Sequence, residues 1–132
     1  MMEAIPVTSE MLDEYLPLIG WHLDQFAANG QYTPKNFEDQ IRDRERQLWV
    51  AWDNGVKAVV LTAIADDRLG SCLVTHAAGK GMADWLHLFP VIVEWAKAQG
   101  CKRIEATARP GWERMLKGFD MKKSHVILEA RL

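Results

Sequence analysis

Residues Ser71 to Gly100 read SCLVTHAAGKGMADWLHLFPVIVEWAKAQG, and the change of pattern inside them decides the fold. Ser71 to Thr75 is a short apolar run of strand character. Ala77-Ala78-Gly79-Lys80-Gly81 follows as a loop of small residues. From there Met82, Trp85, Leu86, Phe89, Ile92, Val93 and Ala96 recur at helical spacing, and Gly100 closes the helix as a C-cap. Pro90 falls inside this helix and should bend it. Glycines allow the chain to turn sharply and a ligand to come close. The first turn of the next helix carries unpaired N–H groups and a partial positive charge. A strand, a glycine loop and a helix in that order make an anion site suited to a pyrophosphate. Many strand-to-helix loops hold two glycines, so this stretch needs its surroundings to be read.

Upstream, Ala4 to Val7 is a first strand, and Thr8 and Ser9 offer N-caps. Leu12, Tyr15, Leu16, Ile19, Leu23 and Phe26 form a helical stripe ended by Asn29-Gly30; Pro17 either kinks that helix or starts a second one. Thr33-Pro34 starts another helix, a charged surface helix with Phe37, Ile41 and Leu48 as its thin apolar stripe. Leu48 to Trp52 and Val56 to Ile64 are strands joined through Asn54-Gly55, the strongest short hairpin signal. Asp66, Asp67 and Gly70 turn the chain into Ser71 to Thr75. Downstream, Arg103 to Ala108 is a strand reached by a helical crossover and therefore parallel to the one before it. Trp112 to Lys117 is a short helix, and His125 to Leu132 a last strand. The order is β-α-α-β-β-β-α-β-α-β. It predicts an α/β (α+β layered) fold with a mixed, mostly antiparallel central sheet and helices on both faces.

The chain has 132 residues, 48% hydrophobic and 26% charged, with a formal net charge of −2. That length fits one domain spanning residues 1–132 with a proper core. The charge gives no basic excess, so no nucleic-acid partner is expected, and Lys117, Lys122 and Lys123 read as a solvated face. No apolar run reaches the roughly 20 residues of a membrane helix, so no membrane partner is expected. Cys72 and Cys101 have no metal-type spacing and no disulfide framework. The expectation is free thiols, no metal and a cytoplasmic location.

With its order in place, the chain resembles the GNAT superfamily of N-acetyltransferases. In that family a segment Arg/Gln-x-x-Gly-x-Gly/Ala follows the fourth strand, opens a long helix, and holds the pyrophosphate of coenzyme A on backbone amides. Here the match is Ala78-Gly79-Lys80-Gly81-Met82-Ala83, with the family's following leucine at Leu86. A second register, starting at His76, puts that histidine in the Arg/Gln place; the first is preferred because it places Leu86. The passage Trp95 to Ala106 resembles the family's helix, glycine and fifth strand. Gly118-Phe119 resembles the pair that ends its last helix. The compact layout is similar to that of small acetyltransferase-like proteins encoded by phages.

The resemblance implies acetyl-coenzyme A as cosubstrate, held by Leu73, Val74, Thr75, Ala78, Gly79, Lys80, Gly81, Met82 and Ala83. It implies a small-molecule or peptide amine as acceptor, and polarising backbone amides near Val74 and Thr75. His76, at the expected end of its strand, is a candidate base near neutral pH, and Glu105 a candidate base through water. The bland readings are a loop histidine and a surface carboxylate. His22 and Asp24 lie in the first helix region, which in the family helps shape the acceptor site, and are preferred as helix-surface residues; His87 reads as half-buried. Cys72 reads as a small core residue rather than a nucleophile. Trp49 and Trp52 point to opposite faces of one strand, which predicts one exposed tryptophan and with it a partner or homodimer contact. The sequence departs from the family in three ways. Ala78 stands in the Arg/Gln place. No tyrosine follows Tyr32 to serve as general acid, and Arg114 stands where it would be. Thr107 to Pro110 stand where the family has an asparagine. The alternative is therefore a GNAT-like domain without catalysis, acting as a structural or interaction module.

Overall fold

The computed structural model describes residues 2–28, 30–65, 70–79, 81–106, 116, 118, 121 and 130. Apart from Leu116, Gly118 and Ala130, the expected short helix at Trp112 to Lys117, the Gly118-Phe119 pair and the last strand at His125 to Leu132 lie outside them. So do Arg114, Thr107 to Pro110, Lys122 and Lys123. The described elements run β1 (Glu3–Val7), a 3-10 turn (Ser9–Met11), α1 (Leu12–Ala27), α2 (Pro34–Arg42), β2 (Gln47–Trp52), β3 (Val56–Ile64), β4 (Ser71–Gly79), α3 (Met82–Leu86), α4 (Phe89–Ala98) and β5 (Arg103–Ala106). They form one sheet in the order β1-β2-β3-β4-β5. The first four strands are antiparallel neighbours, and β5 runs parallel to β4 after the helical crossover.

Alternation along each strand divides the core into two layers. Trp49, Ala51, Val60, Cys72 and Val74 face α3 and α4, where Trp85, Phe89 and Ile92 meet them. Leu48, Val50, Val59 and Leu61 face α1 and α2, where Ile19, Leu23, Phe26, Phe37 and Ile41 meet them. Helices therefore cover both faces of a mixed, mostly antiparallel sheet, as the order of elements predicts.

Local chemistry explains the helix ends. The Thr33 hydroxyl accepts from the Asn36 N–H at 3.1 Å and the Asn36 side chain accepts from the Thr33 N–H at 2.9 Å, a reciprocal cap with proline in the first turn. Pro17 sits within an uninterrupted α1. The missing bond there is offset by burial of Leu12, Ile19, Leu23 and Phe26. Pro90 does not bend a long helix. It opens a second one: α3 ends at Leu86, and Pro90 lies in the first turn of α4, where no N–H is required. At the β2–β3 hairpin Asn54 has φ 55° and Gly55 φ 132°, in a three-residue loop from Asp53 to Gly55.

Three expectations about aromatics and histidines change. Neither tryptophan of β2 is exposed: Trp49 is buried and donates from Nε1 to Thr62 Oγ1 at 2.9 Å, and Trp52 packs edge-on against Tyr15. The exposed tryptophan is Trp21 on α1, 55% accessible. His22, expected on a helix surface, is buried, its Nδ1 has no partner among the described residues, and burial lowers its pKa. His87 is exposed in the turn between α3 and α4. Among the described residues, no helix is long and apolar enough to cross a membrane.

Candidate functional site

The strand β4 is longer than its apolar run, reaching Gly79, and it carries an irregularity. Leu61 pairs with His76 while Thr62 pairs with Val74, so Thr75 is an extra residue on β4. Such a bulge shifts the alternation by one place. Val74 and Ala77 face α3 and α4, whereas Ala78 packs toward α1 and α2. Thr75 and His76 both stand on that α1/α2 side, where they reach Arg46, Phe26 and Phe37. His76 is thus inside a strand, not at its end.

The described pairing with β5 reaches the same place. That ladder runs from Ser71↔Arg103 to Val74↔Ala106, while the β3 ladder continues to Ala58↔Gly79. Among the described residues, the β5-side edge of β4 beyond Val74 has no strand partner. An unpaired strand edge offers backbone N–H and C=O groups to an extended ligand with amide groups of its own.

The two glycines of the expected phosphate loop have different reasons to exist. A Cβ on Gly79 would meet the Lys57 carbonyl oxygen at 2.9 Å and the Ala58 Cβ at 3.0 Å. This glycine is required by the close approach of β3. A Cβ on Gly81 would meet nothing within 4 Å. Gly81 is the N-cap of α3 in extended conformation, and the space in front of it is open to a ligand. The residues there fit a pyrophosphate through backbone N–H groups of the first α3 turn. Asp84 in that turn offsets part of the favourable field. Met82 and Ala83 belong to α3; Lys80 lies outside the described residues.

A polar cluster fills the α1/α2 side of the bulge. Arg46, just before β2, donates from Nη1 to Thr75 Oγ1 at 2.6 Å and from Nε to Gln40 Oε1. Its guanidinium lies 5.3 Å from the Tyr32 ring centroid and 5.5 Å from that of Phe37. Thr75 Oγ1 also lies 3.3 Å from the Leu61 carbonyl oxygen and 3.0 Å from His76 Nδ1. The His76 ring sits between Phe26 and Phe37, with centroids 5.2 and 5.0 Å away. Burial first, and the Arg46 charge second, push its pKa down to about 4. The ring is neutral at pH 7 and weakly basic.

Glu105 pairs in register with Leu73 on β5, and its carboxylate is bound to Arg103 at 2.7 Å. Cys72 is fully buried and its thiol is pushed up to about 12 by burial, with Cys101 adding to the effect, so it is no nucleophile. Among the described residues, no group of three or more His, Cys, Asp or Glu side chains is arranged to hold a metal ion. Sequence reasoning missed Arg46 and the Thr75 side chain. Arg46 is hidden in a run with Arg42 and Arg44, but it shares the parity of Leu48 and Val50, the positions of β2 that face α1 and α2.

A cavity of about 450 Å³ opens where β2 begins and β3 ends. Val7, Arg46, Gln47, Trp49, Ile64 and Trp95 are among its lining residues. By strand direction this is the opposite end of the sheet from Gly79 and Gly81, with the bulge between the two. The cavity reaches Arg46, the partner of Thr75, from the end of the sheet opposite the glycine turn; Thr75 itself is not among its lining residues.

No family model matches the chain, and no curated protein matches it in sequence. Solved structures do match. An aminoglycoside acetyltransferase from an uncultured soil metagenomic sample, in complex with sisomicin, has TM-score 0.70 at 9% identity, covering 99% of this chain and 96% of that one. The ribosomal-protein-alanine N-acetyltransferase of Brucella melitensis biovar Abortus 2308 has TM-score 0.70 at 11% identity, covering 100% of both. A predicted acetyltransferase with acetyl-CoA from Clostridium acetobutylicum has TM-score 0.70 at 14% identity, covering 99% of this chain and 96% of that one. At these identities the likeness shows the fold, that of the GNAT acetyltransferases.

Proposed function

From that fold as premise, we propose that the protein is a one-domain N-acetyltransferase that moves an acetyl group from acetyl-coenzyme A to a primary amine by direct attack. The observation that carries this reading is the β4 bulge at Thr75, one residue beyond the last described β4–β5 pair, Val74↔Ala106. The pantetheine amides pair with β4 at the bulge, and the pyrophosphate rests before Gly81, Met82 and Ala83. Just beyond Leu73, which is paired on both sides, backbone N–H groups near Val74 and Thr75 meet the thioester carbonyl, where charge develops. Ala78 and Gly79 keep the strand close to β3.

The amine lone pair attacks the thioester carbon, the C–S bond breaks, and coenzyme A leaves as a thiolate. We assign the amine proton to His76: with Nδ1–H directed to Thr75, its Nε2 carries the free lone pair. Glu105, on the same sheet face by register, is a second acceptor through water. No tyrosine follows Tyr32, so the thiolate takes its proton from solvent.

The alternative, a domain of this fold without catalysis, draws support from Asp84 in the α3 first turn and Ala78 in the Arg/Gln place. A turnover assay separates the two. The protein is incubated with acetyl-coenzyme A and a panel of amino acids, polyamines, aminoglycosides and peptides, with thiol release and acetylated product both measured. Amine-dependent thiol release with matching product is expected. No product from any amine class contradicts the enzyme and favours the module.

A further inference from the structure

Four arginines of known surroundings allow a comparison. Arg42 is bound to Asp13 at 2.5 Å and Glu38 at 3.0 Å, Arg44 to Glu10 at 2.9 Å, and Arg103 to Glu105 at 2.7 Å. Arg46 is half-buried, yet among the described residues its partners are neutral: Gln40, Thr75 and two aromatic rings. A cation withdrawn from water without a counter-charge is costly. Its side chain is nevertheless fixed at two nitrogens and between two rings, which is preorganisation rather than disorder. The Nη2 group has no hydrogen-bond acceptor among the described residues. Arg46 also lines the cavity at the start of β2, so a solute can reach it from the end of the sheet opposite Gly81.

We propose that Arg46 is the anion-binding residue of the acceptor site, and that the acceptor is an amine carrying a carboxylate. This rests on the acetyltransferase reading for the word acceptor, but the anion site stands on the geometry of Arg46. The guanidinium fork matches a carboxylate in shape, and one unpaired positive charge balances one negative charge. A phosphate dianion would leave an excess. Thr75 ties the fork to the bulge, so a carboxylate held there keeps its amine within a few bonds of the thioester edge. Donor and acceptor then enter from opposite ends of β4 and meet at Thr75. The bound carboxylate also offsets the Arg46 charge, one of the two causes that keep His76 weakly basic.

The test compares free amino acids with their carboxamides and with aminoalkyl phosphates, in wild type, Arg46→Gln and Arg46→Lys. With acetyl-coenzyme A present, kcat/KM for the carboxylate should exceed that for the carboxamide by about tenfold to a hundredfold, the range of a charge-assisted pair. Arg46→Gln should remove the preference while leaving stabilisation by acetyl-coenzyme A unchanged. Arg46→Lys, which keeps the charge without the fork, should retain part of it, and covers the case in which Arg46→Gln does not fold. Equal rates for carboxylate and carboxamide, a preference that survives in Arg46→Gln, or a preference for the phosphate each overturn the proposal. Without acetyl-coenzyme A, calorimetry of the same amino acids reads the anion site alone. Binding lost in Arg46→Gln supports it even if no acetyl transfer occurs, and no binding to wild type overturns it whatever the cofactor result.

Discussion

Replacing Gly79 by alanine tests the register of β4 and the division of labour between its two glycines. The new methyl would stand 2.9 Å from the Lys57 carbonyl oxygen, 3.0 Å from the Ala58 Cβ and 3.3 Å from its Cα. Two of these atoms are backbone, so β3 and β4 must move apart. Overpacking of this kind costs about 1–3 kcal/mol. The loss of unfolded-state freedom on changing glycine to alanine returns roughly 0.4–1 kcal/mol. The net expectation is a loss of about 1–2 kcal/mol, a fall in Tm of about 3–10 °C for a chain of this size. Gly81→Ala meets nothing within 4 Å and should stay within about 0.5 kcal/mol of wild type. Thermal unfolding of both variants by circular dichroism reads the difference. A Gly79→Ala protein that melts with wild type, beside a Gly81→Ala protein that does not, refutes the reasoning.

Thr62→Val keeps the shape but strands the buried Trp49 Nε1, which donates to Thr62 Oγ1 at 2.9 Å, and removes the bond to Gln47. Urea unfolding should show a loss of about 1–3 kcal/mol, and a neutral result would contradict that bond. The lowered pKa of His76 makes the folded state bind its proton less readily than the unfolded chain does. Its contribution is present above about pH 6.5, where both forms are neutral, and is lost as pH falls toward about 4. Screened by partial exposure, it amounts to about 2 kcal/mol. His76→Gln should flatten that part of the stability–pH curve; an unchanged slope contradicts the assignment.

Much of the fold was legible because its signals are local. Alternation in β2 and β3, the Asn54-Gly55 turn, the Thr33 cap and the stripe from Phe89 to Ala96 each specify their own element. The crossover from β4 to β5 then fixes a parallel pair. Errors arose where one residue had two readings. Pro90 serves equally in the middle of a bent helix or in the first turn of a new one, and spacing does not separate them. Ala77 to Gly79 are small enough for a loop, but the neighbour that holds them in β4 lies about twenty residues away on β3. The bulge at Thr75 has no sequence signature, since it is a mismatch between two strands. Arg46 was invisible as a site residue for the same reason: its importance comes from Gln40, Tyr32, Phe37 and Thr75, gathered from three parts of the chain.

The central claim is that β4 at its bulge and the space before Gly81 receive acetyl-coenzyme A. Thermal unfolding with acetyl-coenzyme A, free coenzyme A and a control nucleotide measures it most directly, in wild type and in Gly81→Val. A ligand at about 100 times its dissociation constant stabilises by roughly 2.7 kcal/mol, a shift of several degrees. The account predicts that shift with both coenzyme A species, not with the control, and its loss in a Gly81→Val protein that melts like wild type in the absence of ligand. No shift at millimolar acetyl-coenzyme A, or an equal shift in Gly81→Val, would contradict it.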